Sequence, residues 1–169
     1  TDAPSIRNLF AGGGTAIIWA KANSGGGGNT GNLFRKQTAN AGWRLQLLDV
    51  SGTTAQLDIV IKKTGADFGE WKTTNRVFNF NRYNHIAMVY NLSSTVNDPI
   101  IYLNGVAQTL TEVTAPVGVA GDDSGTDLSI GNIGGVVGWN GNLALEKLCK
   151  LTLTPGQITK LFESERRLF

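Results

Sequence analysis

Apolar and polar residues alternate along most of this chain, and the stretch at 84–106 is where the polar half of the alternation is lost. From His85 to Leu92, an extended backbone puts Ile86, Met88, Tyr90 and Leu92 on one side and His85, Ala87 and Val89 on the other, so both sides are largely apolar. A strand of that kind lies inside a sheet and is covered on both faces. Residues 100–103 repeat the pattern and run into Asn104-Gly105, the dipeptide that most readily supplies the two positive φ angles of a type I′ hairpin turn. A further strand is therefore expected from Val106.

The rest of the chain reads around this centre. Residues 15–22 set Ile17 and Trp19 against Ala16, Ile18 and Ala20, a buried strand that ends at Asn23-Ser24 and the glycines at 25–28. Short strands are predicted at 32–37, at 43–48 with Arg44 and Gln46 outward, and at 55–62 with Leu57, Ile59 and Ile61 inward and Gln56 and Asp58 outward. Strands at 68–73 and 76–80 carry Phe68, Trp71, Phe78 and Phe80, most of which belong to a core. After 106–110 comes a loop at 114–126 with Asp122 and Asp123, the most acidic spot in the chain. Strands at 127–132 and 142–154 follow, separated by a loop at 134–141 that contains Trp139. The period then changes. Thr154-Pro155-Gly156-Gln157 outlines a capping box with proline at the first helical position, and Ile158, Leu161 and Phe162 recur at three and four residues, predicting a helix to about residue 165. About ten short strands with turn signals between them argue for an all-β, antiparallel two-sheet jelly-roll sandwich with one short C-terminal helix. No repeat or linker divides it, so residues 1–169 are read as a single domain.

Composition narrows the roles. A chain of 169 residues buries about 70% of its unfolded surface and needs no staple. The one cysteine, Cys149, excludes an intrachain disulfide, and its strand-like setting suggests a small apolar side chain. A net charge of +2, with no cationic cluster longer than Arg166-Arg167, lacks the footprint of a nucleic-acid binder. No apolar run approaches the ~18 residues of a membrane span, and Thr-Asp-Ala-Pro-Ser resembles no signal peptide, so a soluble protein is expected. Thr1 is compatible with removal of an initiator Met and equally with an excised fragment. The glycines at 25–28 are followed by no Lys-Ser or Lys-Thr and open no helix, which argues for a mobile loop over a phosphate cradle.

In order along the chain, Thr15-Ala16-Ile17-Ile18-Trp19-Ala20-Lys21, Gly42-Trp43-Arg44-Leu45, Tyr83-Asn84-His85-Ile86-Ala87-Met88-Val89-Tyr90, Ile101-Tyr102-Leu103-Asn104-Gly105-Val106, Leu128-Ser129-Ile130-Gly131-Asn132 and Pro155-Gly156-Gln157-Ile158 resemble successive strands and turns of one family. It is the laminin G-like branch of the concanavalin A-like lectin/glucanase jelly rolls. The likeness spans about residues 15–162. Tyr83 or Asn84 stands where the family often has Trp, and the edge strand that usually precedes the Trp19 strand is hard to find in residues 1–14, so a strand supplied from upstream or a shortened sheet is expected.

The resemblance makes His85 part of the sandwich, not a base. Glucanases of this fold alternate acidic residues along one strand as nucleophile and general acid. Here Asp67 and Glu70 are three apart, which places them on opposite faces, and 142–154 offers only Glu146, so no enzyme is expected. Some laminin G-like domains bind calcium at the rim, and Asp122, Asp123 and Asp127 could supply hard oxygens for Ca2+; the bland reading of the same residues is an exposed turn. Otherwise no cofactor is expected. Two roles stay open. One is a noncatalytic structural or interaction module docking to a protein assembly, such as a capsid or tail on a phage or virion surface, or to copies of itself. The other is an extracellular, lectin-like adhesion domain for cell-surface glycan, with Trp139 or Trp71 stacking on a sugar and Asn140 beside it. For Trp139 the alternative is a lid folded over the sandwich end.

Overall fold

The computed structural model describes residues 2–132 and 137–169. Its strands are β1 (Gly14–Ala22), β2 (Asn32–Gln37), β3 (Gly42–Ser51), β4 (Thr54–Lys62), β5 (Phe68–Thr73), β6 (Phe78–Asn79), β7 (Asn84–Tyr90), β8 (Ile100–Leu103), β9 (Val106–Ala107), β10 (Leu110–Thr114), β11 (Ser129–Ile130) and β12 (Gly141–Cys149), followed by helix α1 (Pro155–Glu165). They form two antiparallel sheets packed face to face. The five-stranded sheet has the order β12-β1-β7-β8-β9; the seven-stranded one has the order β10-β5-β4-β3-β2-β11, with β6 paired to β4.

β7 is the middle strand of the smaller sheet, and all seven of its residues are buried. Ile86, Met88 and Tyr90 point into the inter-sheet core with Leu45, Leu47, Leu57, Ile59 and Trp71 from the opposite sheet. Ala87 and Val89 point the other way and join Ile17 and Tyr102 in a second apolar patch, which α1 covers with Ile158, flanked by Leu153 and Leu161. Burying one such isoleucine contributes roughly 1.5–3 kcal/mol. The helix starts where the sequence places it: the Thr154 hydroxyl accepts from the Gln157 N–H at 3.3 Å, and the Gln157 side chain accepts from the Thr154 N–H at 2.8 Å. Trp19 and Lys147 hold its far end, both bonded to Glu165 at 2.8 Å.

The Asn104-Gly105 turn has φ of 51° and 80°, the two left-handed residues expected of a tight hairpin. Leu143 and Leu148 both pack against the core although they stand five positions apart, an odd number. A bulge resolves this. Ile17 pairs with Lys147 and Trp19 with Ala144, so β12 spends one extra residue there, with Leu145 in the left-handed region at φ 53°.

The main departure from the predicted elements is β10. The chain turns back along β8 only as far as Ala107, then crosses to the other sheet, where Leu110 pairs with Thr73 and Glu112 with Trp71. Thr111, Glu112 and Thr114 provide no apolar alternation, because an edge strand is only partly covered and reads as loop. The strands predicted at 76–80 and 127–132 shorten to two residues each. Among the described residues no strand precedes β1. Leu9 and Phe10 are instead tucked into the end of the core, with the Phe10 ring edge-on to Trp43 at 5.1 Å and its carbonyl accepting from the Leu92 N–H.

Met88 is fully buried at the centre of the core. Met88→Ala should cost about 2–5 kcal/mol in urea unfolding; an unchanged midpoint would remove β7 from that position.

Candidate functional site

Apart from Trp71, the residues singled out from sequence fall at opposite ends of the sandwich, separated by the length of β1, roughly 25–30 Å at ~3.3 Å per residue. Trp139 and Asn140 sit where β1 ends. The Trp139 ring packs against the core, edge-on to Phe78 at 5.9 Å, and its indole N–H donates to the Lys21 carbonyl at 3.3 Å. Its amide N–H donates to the Gly131 carbonyl, and a Cβ at Gly31 would sit 3.2 Å from the ring. This geometry is that of the lid, not of a free anchor. Asn140 is exposed but committed to tying loops together: its side chain donates to Ser24 Oγ at 2.8 Å and its carbonyl accepts from Asn23. The neighbouring residues 133–136, on which part of the predicted recognition loop falls, lie outside the described residues. Trp71 is corrected outright. It pairs with Ile59 on the inward face of β5, is 1% exposed, and donates its indole N–H to Asp98 at 3.0 Å, so no sugar can reach its ring.

The acidic loop lies at the other end, and a cation is already part of the chain there. Lys36 points inward from the end of β2, and its ammonium contacts Asp2 Oδ1 at 3.2 Å, Asp123 Oδ1 at 3.1 Å, and the carbonyls of Asp123 and Thr126 at 2.7 Å each. Asp123 is 2% exposed. Asp122 faces away, accepting from Asn8 and from the Ser124 hydroxyl and N–H, bonds that hold its carboxyl down at about 2. Asp127 is exposed on the loop. The three carboxylates do not converge, and among the described residues no group of three potential ligands does. A calcium ion does not fit: the one well-made oxygen cage holds an ammonium, which would repel a second cation. The expected metal site is thereby corrected to an internal ion pair that pins residues 2 and 123–126 to β2.

The larger open surface is the outer face of the seven-stranded sheet, which sequence reasoning did not single out. Across its middle, Gln46 on β3, Asp58 on β4 and Lys72 on β5 stand side by side, with Arg44 and Glu70 on the diagonals. Gln46 donates to Asp58 at 2.9 Å and the Arg44 guanidinium lies 3.6 Å from the same carboxylate oxygen. Asp58 itself is 0% exposed. Burial pushes its carboxyl up to about 6; Arg44 opposes the shift and Glu70 adds to it. Three buried polar atoms on this face, Asp58 Oδ1, Gln56 Oε1 and Arg44 Nε, have no protein partner, an unusual concentration of unused hydrogen-bonding capacity. Toward the acidic end Phe68 lies half-buried on the same face with the Lys62 ammonium 4.3 Å from its ring centre. The signal was present as outward polar residues in three successive strands, but which of them meet depends on register, which the alternation does not state.

His85 is sealed beneath α1, its ring 5.1 Å from Trp19 and 5.8 Å from Phe162, with neither nitrogen bonded. Burial pushes it down to about 4, against the pull of Glu165 and with the help of Lys147. A neutral, inaccessible imidazole is a packing group, as the sequence implied.

Two pH predictions follow in opposite senses. His85 falls from 6.5 to about 4 on folding, so the unfolded state takes up its proton first and stability drops as pH falls through that window. Asp58 rises from 3.8 to about 6, so the folded state holds its proton more tightly and stability increases as pH falls from 6 toward 3.8. In the native protein the two contributions oppose each other between about pH 6 and 4. Asp58→Asn should unmask a loss on acidification of up to ~1.4 kcal/mol per pH unit, and His85→Gln should unmask a gain. Identical slopes in all three proteins would refute both assignments. For the ion pair, Lys36→Met strands two carboxylates and should cost about 3–5 kcal/mol with faster amide exchange at 122–126; native exchange there would show that the ammonium is dispensable.

The family described as the concanavalin A-like lectin/glucanases superfamily matches residues 2–159. Comparison with curated proteins finds no match. Among solved structures, the chain is similar to the binding domain of Paraclostridial Mosquitocidal Protein 1 (17% identity, TM-score 0.66), covering 96% of this chain and 39% of that one. It is also similar to a native heptameric SAP-like pentraxin from Limulus polyphemus (16%, TM-score 0.62, 96% and 78% covered). A third similar structure is from work on botulinum neurotoxin type C, whose cell entry depends on interaction with two ganglioside molecules (14%, TM-score 0.58, 90% and 36% covered). At these identities the likeness concerns the fold, and the chain spans well under half of the two toxin chains.

Proposed function

Because the chain belongs to the concanavalin A-like lectin/glucanase superfamily, we propose that it is a noncatalytic recognition module that binds glycan on the open face of its seven-stranded sheet. The observation that carries this is the asymmetry between the sheets. The outer face of the five-stranded sheet is apolar and closed by α1, whereas that of the seven-stranded sheet carries a fixed polar array in which Arg44, Glu70 and Lys72 stay partly exposed around the buried Gln46 and Asp58. A polyhydroxylated ligand has the matching groups. Arg35, Arg44, Lys62 and Lys72 outnumber Asp58 and Glu70 on this face, so an acidic glycan is favoured over a neutral one. The similar toxin for which gangliosides are named supports the same direction.

The noncatalytic part of the reading is supported by accessibility. Asp58 and Glu70 are diagonal neighbours, a pairing that a search along single strands overlooks, yet Asp58 is covered by its own neighbours and His85 by the helix. A general acid or base must touch the reacting group. No helix among the described residues is long and apolar enough to cross a membrane.

One feature favours a protein-assembly role instead. β10 is an edge strand, and Val113 and, just beyond it, Val117 and Val119 are exposed, the last at 71%. An open edge with apolar side chains is a docking surface for a capsid, a tail or a second copy. Glycan arrays decide between them. Binding to sulfated or carboxylated glycans should fall at least tenfold in Arg35→Gln/Lys72→Gln with an unchanged melting temperature. An array without binders, together with a mass that grows with concentration, would transfer the proposal to the β10 edge.

A further inference from the structure

Where α1 ends, an open cleft of about 290 Å³ lies between the helix and the start of β7, on the side of the five-stranded sheet. Four aromatic rings wall it. Phe162 stacks on Trp19 at 5.8 Å, and the Phe169 ring packs 4.6 Å from Trp19 and 4.3 Å from Tyr83. The rest of the lining is Arg82, Asn104 and Arg166, so the cleft holds two cations and no acidic residue. Arg82 is exposed and forms no ion pair among the described residues. The Arg166 guanidinium lies 5.9 Å from the centre of the Phe162 ring and pairs with Glu163 at 2.8 Å, a contact that water screens because both side chains are about half exposed. Asn104 spends its side-chain oxygen on the His85 N–H at 2.9 Å, which leaves its NH2 group as the one to offer. Glu165, next to Arg166 in the chain, is already engaged by the Trp19 indole and the Lys147 ammonium.

We propose that this cleft binds a small aromatic carboxylate: one phenyl-type ring carrying its carboxylate directly or on a short linker. Charge selects the carboxylate, since two guanidiniums and an amide NH2 offer donors and positive charge with no opposing acid in the lining. The walls select the ring. Trp19 is only 3% exposed, so the broad indole face on which a sugar would stack is taken up by the chain's own rings. The ring surface that stays open belongs to Tyr83, Phe162 and Phe169, and the packing of Phe169 on Tyr83 and Trp19 shows that these walls receive a phenyl group. Size agrees: an apolar cavity of about 150 Å³ takes benzene, and this cleft has room for such a ring together with a carboxylate and a short linker. The cleft belongs to the five-stranded sheet and its helix, whereas the glycan face belongs to the other sheet, so the two sites stand or fall separately.

The test is an amide NMR titration of the whole chain with benzoate, benzyl alcohol and glucuronate, which separate the ring from the charge. Benzoate should move the backbone amides of residues 82–83, 104 and 165–169 and the Asn104 side-chain amide saturably. Benzyl alcohol keeps the ring without the charge and should bind about fivefold more weakly, the loss expected for two exposed charge contacts. Glucuronate keeps the charge on a pyranose and should give no saturable shift at these positions. Arg82→Gln/Arg166→Gln should lower benzoate to the affinity of benzyl alcohol with a nearly unchanged melting temperature, and Arg35→Gln/Lys72→Gln on the other sheet should leave benzoate binding intact. Absence of a saturable benzoate shift at the cleft, or benzoate binding lost in Arg35→Gln/Lys72→Gln, overturns the site. Glucuronate binding there as tightly as benzoate overturns the choice of an aromatic ring, and benzoate affinity that survives Arg82→Gln/Arg166→Gln overturns the role of the arginines.

Discussion

The two-faced burial of β7 is the constraint from which the rest of the architecture follows. A strand with apolar residues on both sides cannot sit in a two-layer sandwich with one sheet surface in water. The chain meets this by laying α1 over Ala87, Val89 and Tyr102, so that the molecule has three layers at β7 and two elsewhere. His85 belongs to the same solution. Its ring fills the space between Trp19 and Phe162 as a neutral heterocycle.

Covering one sheet leaves the other to deal with solvent alone. The seven-stranded sheet does so with a row of long polar side chains that bury Asp58 beneath them, an arrangement that exchanges desolvation of one carboxylate for a rigid placement of Arg44 and Gln46. Rigid donors and acceptors suit recognition better than mobile ones, since less side-chain freedom is lost when a ligand binds.

Lys36 has the equivalent role at the acidic end. Loops at that rim carry carbonyls and carboxylates that need a positive centre, and the chain supplies it from its own β2 strand. A covalently tethered cation cannot be removed by a chelator and brings residues 2 and 123–126, distant in sequence, to one point.

Much of this was readable in the residues themselves. Period-2 alternation located nearly all the strands, Asn104-Gly105 located its hairpin, and Thr154 and Gln157 announced the helix, because each is a local preference of the backbone that tertiary contacts here reinforce. The family resemblance was legible for the same reason. What alternation cannot encode is which strand lies beside which, and every correction has that origin. Trp71 and Asp58 are both strand residues of known facing, but the first is sealed by the opposite sheet and the second by side chains of adjoining strands. Lys36 was one strand lysine among several until the fold brought Asp2, Asp123 and Thr126 to its ammonium. β10 was invisible because an exposed edge strand needs no apolar face, only a partner whose backbone it can pair with. Local sequence thus determined the elements and their inward sides; long-range packing, acting through register and burial, decided which polar groups became structural and which remained available to a ligand.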